Sequence, residues 1–411
     1  MNLLKKLFLK ARLEERIFFL CLIFLPTQLG KHFWPEFSYI HSLKIDYLSP
    51  TFYFWNFLVV VLFLIWSFKR PKINGKALLI LLLFFLTQAL SLFNANNLGG
   101  GLVRMEQFLV AGFFGLYISS HKLEDIKSAL RQGFLIALFM ESSIAIAQFI
   151  LNRSVELWIL GERSFSISTP SIANFNWYGQ IFLRPYATFP HPNVLGAFIV
   201  IVIPLLLLFS KNKQTQTDKI FLNLTIILGA FSAILSFSRS ALVILIGQLL
   251  FFLRQRLVLA AILLIIISPW VITRFGSALN FDNLSIIRRE ELAAVAIRQF
   301  TSFPIFGNGL NNFLSQSAQD NLISGPSRFL QPVHNIFLLT LAETGIIGFV
   351  GLLVLVGFPI LRLVKLKSRV SRTLLFAWFS IIFLGLFDHY FLTLPQGQRL
   401  LFLVWGLSML Q

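Results

Sequence analysis

Apolar residues run through this chain in long blocks, separated by short polar segments rich in lysine and arginine. A hydrocarbon core of about 30 Å takes about 20 apolar residues per helical crossing. The block lengths therefore predict about twelve spans, near residues 16–30, 51–68, 76–93, 100–119, 129–151, 194–210, 220–237, 240–253, 257–273, 334–361, 373–393 and 399–411. The first, eighth and last are short for a full crossing. Segments of about 10 residues with alternating polarity, the mark of a β-barrel, are absent. The expected fold is an all-α polytopic membrane protein, one integral domain over residues 1–411, with about 12 transmembrane helices. An external segment at 152–193 and one long extracytoplasmic loop at 274–333, itself containing helices, interrupt the apolar blocks.

Composition reinforces this picture. Hydrophobic residues make up 56% of the chain, charged residues 13%, and mean hydropathy is +0.78, which excludes an ordinary soluble domain. The net charge of +18 is in this setting a topology signal rather than a sign of nucleic-acid binding. With the N-terminus inside, 22 of the 35 basic residues fall in inner segments, including Lys69, Arg70, Lys72, Lys365, Lys367, Arg369 and Arg372, so both termini are placed in the cytoplasm. The basic N-terminus and the apolar run after it lack a small-residue cleavage site and are expected to form an uncleaved anchor. The single cysteine, Cys21, excludes an internal disulfide and a cysteine-based zinc cage.

Of the 13 basic residues left for the outer side, 11 are arginines. Topology does not favour arginine over lysine there, but recognition of phosphate does, because the planar guanidinium offers paired donors. Three external segments present such arginines. The first closes with R-P-Y-A-T-F-P-H-P-N, from Arg184 to Asn193, where the prolines enforce an extended approach and Asn193 is placed to cap the next helix. The second is the S-F-S-R-S-A turn around Arg239, and the third is the long loop holding Arg288 and Arg289.

In that loop a helix is expected from Ser285 as N-cap, with Arg289, Leu292, Ala296, Phe300 and Phe303 on one face and Arg298 on the other. His334 follows Pro332 and opens the tenth span, a position suited to a general base. Asn335, His191 and Asn193 are supporting candidates. Glu343 lies about half a helical turn round from His334 and is not its dyad partner on the same helix. Gly345, Gly348 and Gly351 form a strip for close helix packing. Glu106, Glu141 and the pair Asp388-His389 are further polar groups in or beside spans, with no role assigned. No ligand spacing among His191, His334, Asp388 and His389 supports a metal site.

Four motifs in order, R-x-x-x-T-F-x-H-P-N from Arg184, F-S-R-S from Phe237, the segment from Arg289 ending P-x-F-G-x-G at Gly309, and H-N-x-x-L-x-x-x-A-E-x-G-x-x-G from His334, resemble the O-antigen ligase and O-antigen polymerase superfamily of bacterial membrane glycosyltransferases. The resemblance covers about the second half of the chain. It implies a GT-C type fold in the bacterial cytoplasmic membrane and an external cavity for a glycan carried on undecaprenyl diphosphate. It further implies that Arg184, Arg239 and Arg289 hold the diphosphate and that His334 activates the acceptor hydroxyl or assists departure of the lipid diphosphate, without metal or nucleotide. The acceptor would be a hydroxyl of a glycan, glycolipid or protein. Arg288 directly before Arg289 departs from the family pattern and leaves open which of the two contacts the donor. The reading is a ligase, with a polymerase of lipid-linked repeat units as the alternative within the family, and a transporter or flippase for an anionic lipid-linked substrate as the alternative outside it.

Overall fold

The computed structural model describes residues 12–177, 179–210, 215–252, 284–319 and 330–411, together with residues 265, 268, 269 and 272. The expected ninth span, 257–273, and much of the loop before residue 284 lie outside the described residues. Helices dominate. In chain order they are α1 Leu13–Ile23, α2 Phe54–Phe68, α3 Gly75–Leu90, α4 Leu98–Ser119, α5 Leu123–Leu151, α6 Pro192–Phe209, α7 Gln216–Leu235, α8 Arg239–Phe252, α9 Leu284–Ser302, α10 Phe313–Gln319, α11 Ile336–Leu366, α12 Arg369–Phe387, α13 Tyr390–Thr393 and α14 Pro395–Ser408.

Among the described residues, seven helices are long and apolar enough to cross a membrane, α3 (extended to Asn94), α4, α5, α6, α7, α11 and α12. Every described segment expected to span does contain a helix, but several are short. Helix α1 has 11 residues and is followed by extended chain, and the last expected span, 399–411, is the 14-residue α14, which opens four residues earlier at Pro395 and ends at Ser408. Among the described residues, three two-stranded antiparallel ribbons join the helices. They pair Gly30–His32 with Thr51–Tyr53, Tyr39–Ile40 with Leu43–Lys44, and Asn174–Trp177 with Gln180–Leu183. All-α is therefore corrected to mostly helical with small ribbons. Polar chain outside the helices satisfies its backbone groups by pairing locally.

Contacts divide the chain into two compact units. The first comprises Met1–Phe18, Gly30–Ile126 and Leu284–Gln411, the second Phe19–Leu29 and Lys127–Asn283.

In the first unit α3 shows how one helix serves two environments. Ala77, Ile80, Leu81 and Phe84 are buried, while Leu79, Leu82, Leu83 and Leu86 form an exposed apolar stripe at helical spacing, as lipid-facing surface requires. The buried side of the same helix meets α11, where a Cβ on Gly351 would lie 2.0 Å from the Thr87 hydroxyl. Helices α4 and α14 approach just as closely, since a Cβ on Gly406 would lie 2.5 Å from the carbonyl oxygen of Gly115. In the second unit α6 is almost wholly buried and packs on α7 and α8.

The expected glycine strip on α11 is real, and Gly345 does more than pack. Its φ of 61° breaks the helix. The loop from Pro304 to Gly309 fills the break, with Ile346 N–H donating to Pro304 O at 2.9 Å, Asn308 N–H to Ala342 O at 3.0 Å and Gly309 N–H to Glu343 O at 2.9 Å. Gly307, at φ 70°, has no room for a Cβ, which would lie 2.3 Å from the Glu343 carbonyl carbon.

Candidate functional site

Two chain ends meet at one end of the α11 and α12 pair. Before α11 the sequence Q-P-V-H-N delivers an N-cap. Asn335 Oδ1 accepts hydrogen bonds from Phe337 N–H and Leu338 N–H at 2.9 and 3.0 Å, so the helix begins at Ile336 and His334 precedes the cap rather than lying on the first turn. The Nδ2 of Asn335 donates to Leu386 O at 3.2 Å, tying this start to the last turn of α12. Immediately beyond, Asp388 turns into extended backbone and His389 follows.

The result is a His334, Asp388 and His389 group, each offering one atom within 4.8 Å of the others. The two imidazoles stand edge to face, with ring centres 5.0 Å apart. His389 Nε2 lies 3.9 Å from Asp388 Oδ1, and its Nδ1 is 2.6 Å from the Thr393 hydroxyl. Asp388 Oδ1 also accepts the His389 N–H at 2.9 Å. The rings of Tyr47 and His389 form a T-shaped pair, with centres 5.7 Å apart. Asp388 and His389 are buried, His334 is half-buried, and its Nδ1 is shut off from solvent with no hydrogen-bond partner among the described residues.

Helix α9 brings positive charge to this end. Arg289 donates from Nη1 to Phe387 O at 2.8 Å, satisfying an end carbonyl of α12. Its neighbour Arg288 pairs with Glu291 at 3.3 Å. The amphipathic reading of α9 holds in part. Leu292 and Ala296 are buried and Arg298 is exposed as expected, but Phe303 is 39% exposed and Val295 and Gln299 fill the buried face instead. The described helix already includes Leu284, so Ser285 lies within it and not before its first residue, as an N-cap would. Burial is the largest influence on His334 and pushes its imidazole below the ordinary value; Asp388 pulls it back up, and Arg289 adds to the lowering. His334 is thus neutral near pH 7 and able to accept a proton. Burial, with Asp388 beside it, raises Tyr390 well above the usual phenol range and keeps its hydroxyl protonated.

Glu343 belongs to a layer behind this group. Its carboxylate accepts the Phe313 N–H at 3.3 Å, at the start of α10. Arg104 donates to Asn311 Oδ1 at 2.8 Å and to Leu392 O, and so links the glycine-rich loop to α13, which carries Thr393. A small cavity lies between these groups, lined by Gln88, Arg104, Thr340, Glu343 and Leu392 among others.

In the second unit the R-P-Y-A-T-F-P-H-P-N segment is held by polar side chains of α5. Gln148 Oε1 accepts Tyr186 N–H and Ala187 N–H, both at 2.8 Å, and Glu141 accepts the Thr188 N–H and hydroxyl at 3.0 and 2.7 Å. Arg184 donates from Nε to Ser236 O and from Nη2 to Asn193 Oδ1, both at 2.8 Å. The cap of α6 is His191, whose Nδ1 accepts the Asn193 N–H at 3.1 Å, with Pro192 as the first helical residue. Asn193 was expected to cap; it is instead inside the helix and turned to Arg184. Arg239 opens α8, half-buried, just after Phe237 at φ 49°.

The roles of Asp388, His389, Gln148 and Glu141 are not visible in the sequence. The signal for each was a polar residue in or beside an apolar block, which is costly unless partnered. Nothing in the spacing joins residue 334 to residue 388, because the junction is made by helix pairing.

Comparison with protein-family models matches residues 224–353 to the family described as O-antigen ligase. The matched stretch holds Arg239, Arg288, Arg289, His334, Asn335 and Glu343, with Arg184, His191 and Asn193 before it and Asp388-His389 after it. A search of the curated proteins gave no match. The family match at 224–353 covers 130 of the 411 residues and, with the seven apolar helices among the described residues, supports a multi-pass membrane protein similar to the O-antigen ligase and polymerase superfamily.

Proposed function

We propose that the protein transfers a glycan from undecaprenyl diphosphate to a hydroxyl acceptor on the external face of the cytoplasmic membrane, in the manner of an O-antigen ligase. The observation that carries this reading is His334: an imidazole held neutral by burial, with a guanidinium anchored at the same helix end through the Phe387 carbonyl. The turn between α11 and α12 is basic, with Lys365, Lys367, Arg369 and Arg372, and the His334 end of the same pair is the opposite one. By the positive-inside rule that opposite end is external and both termini are cytoplasmic.

In the proposed reaction His334 takes the proton of the acceptor hydroxyl as its oxygen bonds the anomeric carbon of the proximal sugar. The bond from that carbon to the diphosphate breaks, and the electron pair leaves on the diphosphate oxygen. Fixed guanidinium charge stabilises that leaving group, so the step calls for no metal. Arg289 is the arginine for this role beside His334; Arg288, paired with Glu291, is its second candidate. Arg184 and Arg239 are further proposed diphosphate ligands, supported by the motifs they carry.

The test is transfer by the full-length protein in detergent, supplied with a lipid-diphosphate-linked glycan and a hydroxyl-bearing glycolipid. Glycolipid of increased mass is the expected product, lost in His334→Ala with donor binding retained. A ladder of longer lipid-linked chains would identify a polymerase, and donor translocation without bond exchange a flippase.

A further inference from the structure

We propose that His334, Asp388 and His389 form a binding site for a divalent transition-metal cation of the zinc type, and that occupation of this site switches transfer off. The regulatory half rests on the reading of His334 as proton acceptor; the binding half does not.

The donor set is two imidazoles and a carboxylate, which suits zinc, cobalt or nickel and not magnesium or calcium, whose sites are built of oxygen. The three ligand atoms lie within 4.8 Å of one another. Bonds of about 2.0 to 2.2 Å to a tetrahedral cation put ligands roughly 3.4 Å apart, so closure asks for about an ångström of side-chain movement. His389 is already oriented for ligation. Its Nδ1 is engaged by the Thr393 hydroxyl at 2.6 Å, and its Nε2 lies on the side of Asp388, 3.9 Å from Oδ1. Asp388 and His389 are 7% and 5% exposed, so water competes weakly for their lone pairs. Arg289 opposes a second cation, but the Asp388 carboxylate lies within the cluster itself. Three protein ligands leave a fourth position for water or an anion. A cation bound to the His334 nitrogen takes the lone pair that would accept the acceptor's proton, so the bound form is inactive.

The experiment uses the full chain in detergent, stripped with EDTA and titrated with Co²⁺, then assayed for transfer with Zn²⁺ or Mg²⁺. One equivalent of Co²⁺ is expected to bind with the intense visible absorption of a tetrahedral nitrogen and oxygen site. His389→Gln should abolish it, and Thr393→Val should weaken it about tenfold through lost orientation of His389. Zn²⁺ should inhibit wild-type transfer, EDTA should restore it, and Mg²⁺ should have no effect; inhibition is read against each variant's own metal-free rate. Absence of tetrahedral Co²⁺ binding, or equal binding by His389→Gln, overturns the proposal. So does Zn²⁺ inhibition of equal strength in Thr393→Val, the variant that serves if His389→Gln does not fold. Stoichiometric Co²⁺ binding lost in His389→Gln, with no transfer by EDTA-treated wild type, would sink the functional reading and leave the binding site standing.

Discussion

Asn335 Nδ2 reaches the carbonyl of Leu386 at 3.2 Å while its Oδ1 caps α11, so one side chain both starts a helix and ties it to the end of its neighbour. That double use is what sets His334 against His389, with ring centres 5.0 Å apart. The residue before the cap and the residues after α12 have no other reason, local to either segment, to be close.

Asn335→Ala removes both functions. Loss of an N-cap costs about 1 kcal/mol of stability, a small drop in the thermal midpoint. Transfer should fall much further, since a displacement of about 1 Å at a reacting group costs on the order of 100-fold. Thermal unfolding in detergent and single-turnover transfer rates measured on the same preparation check this. A variant that loses stability but keeps its rate would show that the cap does not position His334.

The acid limb of kcat/KM should lie below the ordinary histidine value. Burial lowers the His334 pKa, so the imidazole is neutral at pH 7 and becomes protonated only as the pH falls through the lowered value, where activity is lost. Arg289 contributes to the lowering, so Arg289→Gln should move that limb upward. A pH profile in chelator-containing buffer reads both effects, and a limb that shifts downward in the variant contradicts the assignment.

Arg289 and Arg298 share α9 but not its environment: Arg289 is half-buried and bonded to Phe387 O, whereas Arg298 is exposed. Arg289→Ala should reduce transfer by about 100-fold or more, the usual loss when a donor to developing negative charge is removed. Arg298→Ala should leave the rate within about twofold, a surface change worth under about 0.5 kcal/mol. Parallel transfer assays decide, and equal losses in the two variants would argue for a structural role of the helix alone.

Gly307→Ala should destabilise the protein by roughly 1 to 3 kcal/mol, since it combines a positive φ with a Cβ placed 2.3 Å from the backbone of Glu343. Gly357→Ala is the control. No atom lies within 4 Å of a Cβ there, and exchanging glycine for alanine inside a helix should be neutral or stabilising. Comparison of thermal midpoints tests the docking of the 304–309 loop into the break at Gly345.

Much of the architecture was legible because membrane helices are announced by local composition. The blocks that became α3 to α7, α11 and α12 needed only length and hydropathy, and the exposed leucines of α3 repeat every three or four residues as a helix dictates. Helix ends were read less well. His191, and not Asn193, caps α6, because Pro192 is better placed as the first helical residue and its predecessor then supplies the cap. The glycine-rich P-I-F-G-N-G and A-E-T-G motifs were legible as motifs, but not as two backbones bonded to each other.

The class of the molecule, the positions of its apolar helices and the chemical identity of the groups that carry the proposed chemistry can all be read along the chain, since each is set by side chains within a few turns of one another. Which polar groups stand together follows from folding alone. Asp388 and His389 join His334 because α11 and α12 run antiparallel and one asparagine pins their ends, whereas Glu343, on the same helix as that asparagine, faces Phe313 and Arg104 instead. Helix pairing sums many weak contacts between residues distant along the chain, and no local pattern encodes which ends will meet.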